Sequence, residues 1–398
     1  ENAALQVSHD LKLPYTIGSR TGDTTAKEKA AHIKQMPHAL ITTPESMHLM
    51  LAQKGYAGVL KKLQFVIVDE WHELLGTKRG VQVELALSRL RTINPELKVW
   101  GISATIGNLQ EAKDILLGAA SEKGVMVKAA IEKKTIIETV LPDVLEKFPW
   151  AGHLGLKLGQ KVLEIIHKSN STLIFTNTRF QAETWYRHLL DLEPDLAGLF
   201  ALHHGSLGED TRKWVEAALH KGKLKAVVCT SSLDLGVDFR PVDTVVQIGS
   251  PKGVARFMQR AGRSGHQPGA TSKIYFVPTH SLEIIEGSAM RYAVQHNKVE
   301  ARIPYIRSFD VLIQYLVTLA VSDGFMPEEI FKEVKQTHCF NSMTWDEFAW
   351  CLSFITTGGK SLYAYDEFHK VIIENGIYKV TDKRIASQHR MSMGTIVS

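Results

Sequence analysis

Short, charge-free apolar runs rich in β-branched residues recur along the chain at 39–42, 65–68, 99–102, 172–175, 226–229, 244–248 and 274–277. Runs of this kind predict strands buried on both faces of a parallel sheet. Longer stretches with apolar residues at helical spacing lie between them, for example 179–190 and 208–220. The alternation predicts an α/β fold with crossover helices. It runs twice, once to residue 128 and again to 304, which places domains at 1–128 and 129–304. Pro142 and Pro149 limit continuous helix early in the second half. Beyond 305 the texture changes. Residues 309–321, 328–335 and 345–356 have helical spacing, and 371–373 with 378–380 predict a hairpin. Helices followed by a hairpin predict a winged-helix domain within 305–398, with the start of a further C-terminal region.

Composition excludes some classes. Hydrophobic residues make up 44% and charged residues 22% of the 398, an ordinary globular balance. No apolar run reaches the roughly 18 residues that span a membrane. The chain opens at Glu1 without a starting Met or a signal-peptide core and stops at Ser398 on an apolar run, so the expectation is a segment of a longer protein. A net charge of +5 is compatible with a polyanionic partner, although many unrelated enzymes share it. Cys229, Cys339 and Cys351 are too few and too scattered for a disulfide framework and fit a reducing, cytoplasmic compartment. The 17 histidines include no H-E-x-x-H pair, so no structural metal is expected.

Four segments carry chemistry. The run Phe65-Val66-Ile67-Val68 ends in Asp69-Glu70-Trp71-His72. An Asp at a strand's C-terminal end can hold Mg²⁺ of a bound nucleotide, and the next Glu can orient the attacking water. A solvated acidic turn is the bland alternative for this pair taken alone. Ser103-Ala104-Thr105 follows the next strand, where small hydroxyl residues can sense the carboxylate turn. Gln259-Arg260-Ala261-Gly262-Arg263-Ser264-Gly265-His266 sets two arginines on one helical face, suited to phosphate charge; its alternative is a basic solvated helix end. The segment 230–239 offers hydroxyls to a nucleic-acid phosphate and Asp238 to a nucleotide. It also reads as a helix start with Ser231 or Ser232 as N-cap and Asp234 in the first turn.

In their order, these four segments resemble motifs II, III, V and VI of superfamily 2 nucleic-acid helicases. Thr43-Pro44-Glu45-Ser46 resembles motif Ib, and Arg20-Thr21-Gly22-Asp23 the loop before it. Phe175-Thr176-Asn177-Thr178-Arg179 resembles motif IV, and His203-His204-Gly205-Ser206 the loop after it. A closer resemblance is to the large helicase-related family, and within it to the bacterial ligase-associated DExH-box helicases. It rests on residues 69–76 with 78–82, on 148–155, on Gly249-Ser250-Pro251-Lys252-Gly253-Val254-Ala255-Arg256, and on the ending Arg263-Ser264-Gly265-His266.

The resemblance implies two tandem RecA-like parallel-sheet domains, the first incomplete, followed by a winged-helix domain. It implies ATP between the RecA-like domains and single-stranded DNA, or an RNA–DNA hybrid, across their tops. It further implies 3′-to-5′ translocation in DNA repair, beside an ATP-dependent DNA ligase and a repair nuclease. Catalysis falls to Asp69, which would hold Mg²⁺, and to Glu70, His72, Gln259, Arg260 and Arg263. Coupling falls to Ser103, Ala104 and Thr105, and nucleotide contact to Gly236 and Asp238. Nucleic acid would meet Arg20, Thr21, Gly22, Thr43, Pro44, Glu45, Asn177, Thr178, Arg179, His204, Thr230 and Ser231.

One part of the family pattern is missing. No G-x-x-x-x-G-K-[ST] precedes Asp69, and Gly358-Gly359-Lys360-Ser361 has Phe354 where the first glycine belongs. The expectation is negligible ATP hydrolysis by this chain as given. Three rivals remain: a non-catalytic nucleic-acid or partner clamp, an RNA helicase of the Ski2 type, and a nuclease. Trp71 reads as core, and Trp150 with His153 as a domain junction or a base-stacking pair. His203 with His204 lacks the further ligands a zinc site needs.

Overall fold

The computed structural model describes residues 6–7, 9–22, 24–104, 106–128, 134–142, 155–234, 242–265, 271–358 and 370–393. They form two compact units. One comprises Glu1–Ala104, Asn108–Met126 and Arg302–Ser398, the other Thr105–Gly107 and Val127–Ala301.

The second unit is a six-stranded parallel sheet in the order Thr135–Thr139, Ser272–Val277, Thr244–Ile248, Thr172–Phe175, Ala226–Cys229, Phe200–His203. Three of its four inner strands, at 172–175, 226–229 and 244–248, are buried at every position, as charge-free runs require. Successive side chains point to opposite faces. Ile174, Val228 and Val246 therefore meet helices Gly159–His167 and Arg179–Leu192 through Val162, Ile166, Trp185 and Leu189. Phe175, Val227, Val245 and Phe276 meet Val215, Leu219, Phe257 and Met290 on helices Glu209–His220, Val254–Ala261 and Ser281–Gln295. This is the doubly wound layering that the alternation predicts.

The first unit departs from the expectation of strands buried on both faces. Ile17–Arg20 pairs with Ala39–Thr42, and Phe65–Val68 with Lys98–Gly101, each as a two-stranded parallel ribbon. Ile41, Phe65, Ile67 and Trp100 are about half exposed. The physical reason is that, among the described residues, no third strand lies beside either ribbon to cover the remaining edge and face.

The helix Lys78–Ile93 lies at the centre of this unit and is buried along nearly its whole length, polar residues included. Its apolar side chains Val81, Leu85, Ala86 and Leu90 join a core that also holds Met50 and Leu51, and Leu312, Leu316, Val334, Phe340 and Phe348 from beyond residue 305. Buried polar groups need partners. Gln82 Nε2 donates to Gln314 Oε1 at 3.3 Å, Ser88 Oγ donates to the Glu333 carbonyl at 2.7 Å, and Glu84 Oε2 accepts from the Cys339 N–H at 3.0 Å. The helices Phe309–Val321, Pro327–Val334 and Trp345–Thr357 thus pack within the first unit against Lys78–Ile93 through polar contacts as well as apolar ones. The hairpin Ile372–Glu374/Ile377–Lys379 follows, its turn made by Asn375 and Gly376 at φ +53° and +80°. Positive φ at both central residues is the two-residue turn that suits strand twist, and Asn-Gly is its preferred sequence. No described helix is long and apolar enough to cross a membrane.

Candidate ATP and nucleic-acid motifs

In the first unit the parallel register pairs Val68 with Gly101, so the two strands end side by side. Ile102 N donates to the Val68 carbonyl and Trp71 N to the Ile102 carbonyl, both at 2.9 Å, knitting the Asp69-Glu70 turn to the Ser103-Ala104 exit. Glu70 sits in the left-handed region at φ +50°, a conformation that β-branched residues avoid. Its N–H donates to Asp69 Oδ1 at 2.9 Å. The sharp reversal lets two carboxylates that would alternate along a strand leave the same turn. Trp71 is core, as its type suggests: it is buried and its Nε1 donates to the Ala112 carbonyl at 2.8 Å.

His72 is buried, and its Nδ1 accepts from the Ala104 N–H at 3.1 Å. The same nitrogen lies 3.4 Å from Glu70 Oε2, and Nε2 lies 3.6 Å from Glu73 Oε1. One imidazole therefore touches the carboxylate turn and the Ser-Ala-Thr segment together. Ser103 Oγ donates to the Ala104 carbonyl at 2.9 Å. Thr105 lies outside the described residues.

In the second unit, Arg260 is buried and fully occupied. Nε and Nη2 donate to Asp234 Oδ1 and Oδ2 at 2.8 and 3.0 Å, Nη1 donates to Gln247 Oε1 at 2.6 Å, and the guanidinium lies 4.7 Å from the Phe175 ring centre. This corrects the expectation of a guanidinium presented to phosphate. The Val254–Ala261 helix turns residue 260 onto its apolar face beside Phe257 and Ala261, where a charge must be paired. Arg263, past the helix end, is half-buried, and its Nη2 donates to the Asp234 carbonyl. Gln259 is half-buried. Asp234 is accordingly a salt-bridge partner. The short 3₁₀ turn Ser231–Leu233 starts after Thr230 without a side-chain cap, so neither serine has the N-cap role. Ser232 Oγ instead donates to the His203 carbonyl at 3.0 Å. Gly236 and Asp238 lie outside the described residues, as do Trp150, His153 and His266.

The expected nucleic-acid contacts divide into two kinds. Arg20 is buried and donates from Nη1 to the Lys29 carbonyl at 3.2 Å, and burial lowers its pKa. It is not the surface phosphate contact that its position suggests. Thr43 caps helix Pro44–Leu51 by accepting from Ser46 N, and Thr178 caps Arg179–Leu192 by accepting from Gln181 N. Glu45 accepts from Arg79 Nε at 2.6 Å. Thr21 N donates to Thr24 Oγ1, and the Gly22 carbonyl accepts from Lys29 Nζ. Asn177 Nδ2 donates to the Ser250 carbonyl at 2.7 Å, and Arg179 Nη1 to Ser206 Oγ at 2.9 Å. His204 is buried, with Nδ1 accepting from Ser206 N. Thr230 is half-buried and Ser231 exposed. Asn177, Thr178, Thr230 and Ser231 all leave the C-terminal ends of parallel strands, the edge where open α/β sheets bind ligands.

Sequence reading missed Gln247 and Glu283. Gln247 was visible as the lone amide in the buried run Thr244–Ile248. Glu283, also buried, accepts from Ser250 N at 2.7 Å and Thr279 N at 2.6 Å and so holds the Ser250 carbonyl that receives Asn177. A lone helix Glu gives no such signal. Among the described residues no group of three or more His, Cys, Asp and Glu could hold a metal by itself.

Three family matches divide the chain: a DEAD/DEAH box helicase domain over 3–113, a helicase conserved C-terminal domain over 157–267, and the winged-helix domain of large helicase-related protein over 292–398. The chain is 33% identical to ATP-dependent helicase Lhr-Core protein 2 of Thermococcus barophilus, over 98% of its own length and 46% of that protein's. It is 30% identical to the Lhr helicase/uracil glycosylase of Escherichia coli, over 80% of this chain and 24% of that one. Among solved structures it matches helicase Lhr of Mycobacterium smegmatis bound to ssDNA and AMP-PNP, with TM-score 0.83, 29% identity, and coverage of 99% of this chain and 51% of that chain. The fold is shared with helicase MrfA bound to DNA, at TM-score 0.69 and 19% identity over 97% of this chain and 50% of that one. The chain spans just under half the length of the archaeal relatives, at 46% and 44%. With a motor-type doubly wound sheet, an acidic turn tied to its Ser-Ala exit and this family's own winged helix in one sequence, the chain belongs to the large helicase-related (Lhr) helicase family.

Proposed function

We propose that the protein is an ATP-dependent translocase and helicase acting on single-stranded nucleic acid. The observation that carries this reading is His72, which touches Glu70 and the Ala104 N–H at once. A motor must report the state of its hydrolytic carboxylate to another segment, and a buried imidazole between the two is a direct way to do so. The relatives' names as ATP-dependent helicases, and the ssDNA and AMP-PNP in the solved relative, support the same reading.

Glu70 orients or deprotonates the attacking water. Asp69 fits a nucleotide-bound Mg²⁺: its carboxylate is exposed, and Mg²⁺ commonly takes one or two protein carboxylates and fills its remaining positions with water and phosphate. The ion would supply charge neutralisation at the phosphates. Arg263 and Gln259 serve ATP turnover, while Arg260 holds the 230–234 segment in shape. Thr43, Pro44, Glu45, Asn177, Thr178, Arg179, Thr230 and Ser231 form the strand-facing loops, and backbone contact there makes binding sequence-tolerant and weaker with salt.

The finer reading is a ligase-associated, 3′-to-5′ DNA repair helicase of the bacterial cytoplasm, with domains at 1–128, 129–304 and 305–398. An ATP-dependent DNA ligase and a repair nuclease are its proposed partners. The sequence as given contains no G-x-x-x-x-G-K-[ST] before Asp69, and in this form it turns over ATP negligibly. The test uses the complete protein. Single-stranded DNA stimulates its ATP hydrolysis, Glu70→Gln abolishes it, and duplexes with a 3′ tail open while those with a 5′ tail do not. Comparing DNA, RNA and hybrid duplexes separates this reading from an RNA helicase. Tight strand binding with ATPase unaffected by Glu70→Gln would leave only a clamp.

A further inference from the structure

Glu300 stands outside every motif recognised in the sequence, yet it contacts the start of the helix that carries Gln259 and Arg260 and the backbone just past Ser103-Ala104-Thr105. Its Oε2 accepts from Val254 N at 3.0 Å, and Oε1 and Oε2 both lie 3.2 Å from Ala255 N. These are the first N–H groups of helix Val254–Ala261, which carries Gln259 and Arg260 and leads into Arg263. A carboxylate there satisfies donors that the helix cannot satisfy itself and meets the positive end of its dipole. The preceding residue is built around it. Gly253 has φ +140°, and a Cβ at that position would lie 2.3 Å from Glu300 Oε1.

The backbone of the same residue does a second job. The Glu300 carbonyl accepts from Gly107 N at 3.1 Å. A Cβ on Gly107 would stand 2.5 Å from the Val299 carbonyl oxygen and 2.9 Å from Ala301 N, so only glycine allows the approach. Gly107 follows the Ser103-Ala104-Thr105 segment, whose Ala104 N–H is bound by His72. Two residues further on, Arg302 N donates to Asn108 Oδ1 at 3.0 Å, and Asn108 Nδ2 donates to the Arg302 carbonyl at 2.8 Å. Arg302 Nη2 also lies 3.7 Å from Glu73 Oε1.

We infer that Glu300 is a positioning residue of the ATP cycle, fixing through its carboxylate the start of the Gln259–Arg260 helix and through its carbonyl the chain that leaves Ala104. One residue thus holds both the helix start and Gly107. The inference rests on the helicase reading, since only a motor needs the two segments to keep step.

The test compares wild type, Glu300→Ala, Glu300→Gln, Gly253→Ala and the Glu300→Ala/Gly253→Ala double variant in the complete protein. ATP turnover on single-stranded DNA, KM for ATP, ATP consumed per base pair opened and the thermal midpoint are measured for each. Glu300→Ala is expected to lower kcat about tenfold, the scale set by losing one helix cap, with KM for ATP within about twofold. ATP consumed per base pair rises, and Glu300→Gln, which keeps an acceptor oxygen, recovers most of the loss. Gly253→Ala costs less in the Glu300→Ala background than alone, because the carboxylate it collides with is gone. Losses that multiply, with KM and ATP per base pair unchanged and only the thermal midpoint lowered, would show a merely structural role and overturn the inference. Wild type responding to DNA with Glu300→Ala unaffected would overturn it alone. Wild type indifferent to DNA would sink the helicase reading and this inference with it.

Discussion

Arg260 forks onto Asp234, Nε to Oδ1 at 2.8 Å and Nη2 to Oδ2 at 3.0 Å, with both side chains buried. Removing one partner of a buried pair strands the other charge, at a cost of about 3–5 kcal/mol. Asp234→Ala and Arg260→Ala should each lower stability on that scale in urea denaturation. The double variant should lose less than the sum of the two. Additive losses would show that the pair is not coupled.

Arg263 should behave differently from Arg260. It is half-buried past the helix end, and its Nη2 donates to the Asp234 carbonyl. Arg263→Ala in the complete protein is expected to lower ATP turnover by about a hundredfold or more, the range seen when charge-stabilising donors are lost. Its thermal midpoint should move much less than that of Arg260→Ala. Equal thermal losses with equal residual turnover would contradict the division of roles.

His72→Ala removes the acceptor of the Ala104 N–H. It leaves that donor unpaired, which costs about 1–3 kcal/mol if the site stays dry. The expected signature is uncoupling: DNA-stimulated hydrolysis persists while duplex opening falls by a larger factor. Proportional loss of both would argue that His72 is only packing.

Glu84 gives a pH dependence with a definite sign. Burial raises its carboxyl from the usual value to about 8, against hydrogen bonds from the Cys339 and His338 backbone that lower it. The folded form therefore holds a proton that the unfolded chain releases near 4.5, and stability falls as pH rises from that value through about 8. Urea midpoints at pH 5, 7 and 9 should decline, and Glu84→Gln should flatten the decline.

His389 works in the opposite direction. Burial lowers its pKa to about 4, helped by Lys370, Arg390 and His48 nearby. Stability is present above the ordinary histidine value and is lost as pH falls from there through about 4. His389→Gln should retain stability better than wild type at pH 4, as read by the same midpoints.

The sequence by itself determined the α/β class, the inner strands of the second sheet, the helices beyond 305 and the hairpin that follows them. Charge-free runs such as Val227-Val228 are stable only between two covered faces, and Asn375-Gly376 suits only one tight turn. It did not reveal Ile17–Arg20, Thr135–Thr139 or Phe200–His203; in the first two, a ribbon or edge strand tolerates polar residues that break the apolar run. Motif order located the candidate residues, but order says nothing of which way a side chain points. Only the tertiary structure decided that Arg260 and Arg20 turn inward, that Arg263 sits less enclosed, and that Glu300, 45 residues from the Ala255 N–H it accepts, belongs with the motifs. Those outcomes depend on contacts between positions far apart in the chain, and no local pattern encodes them.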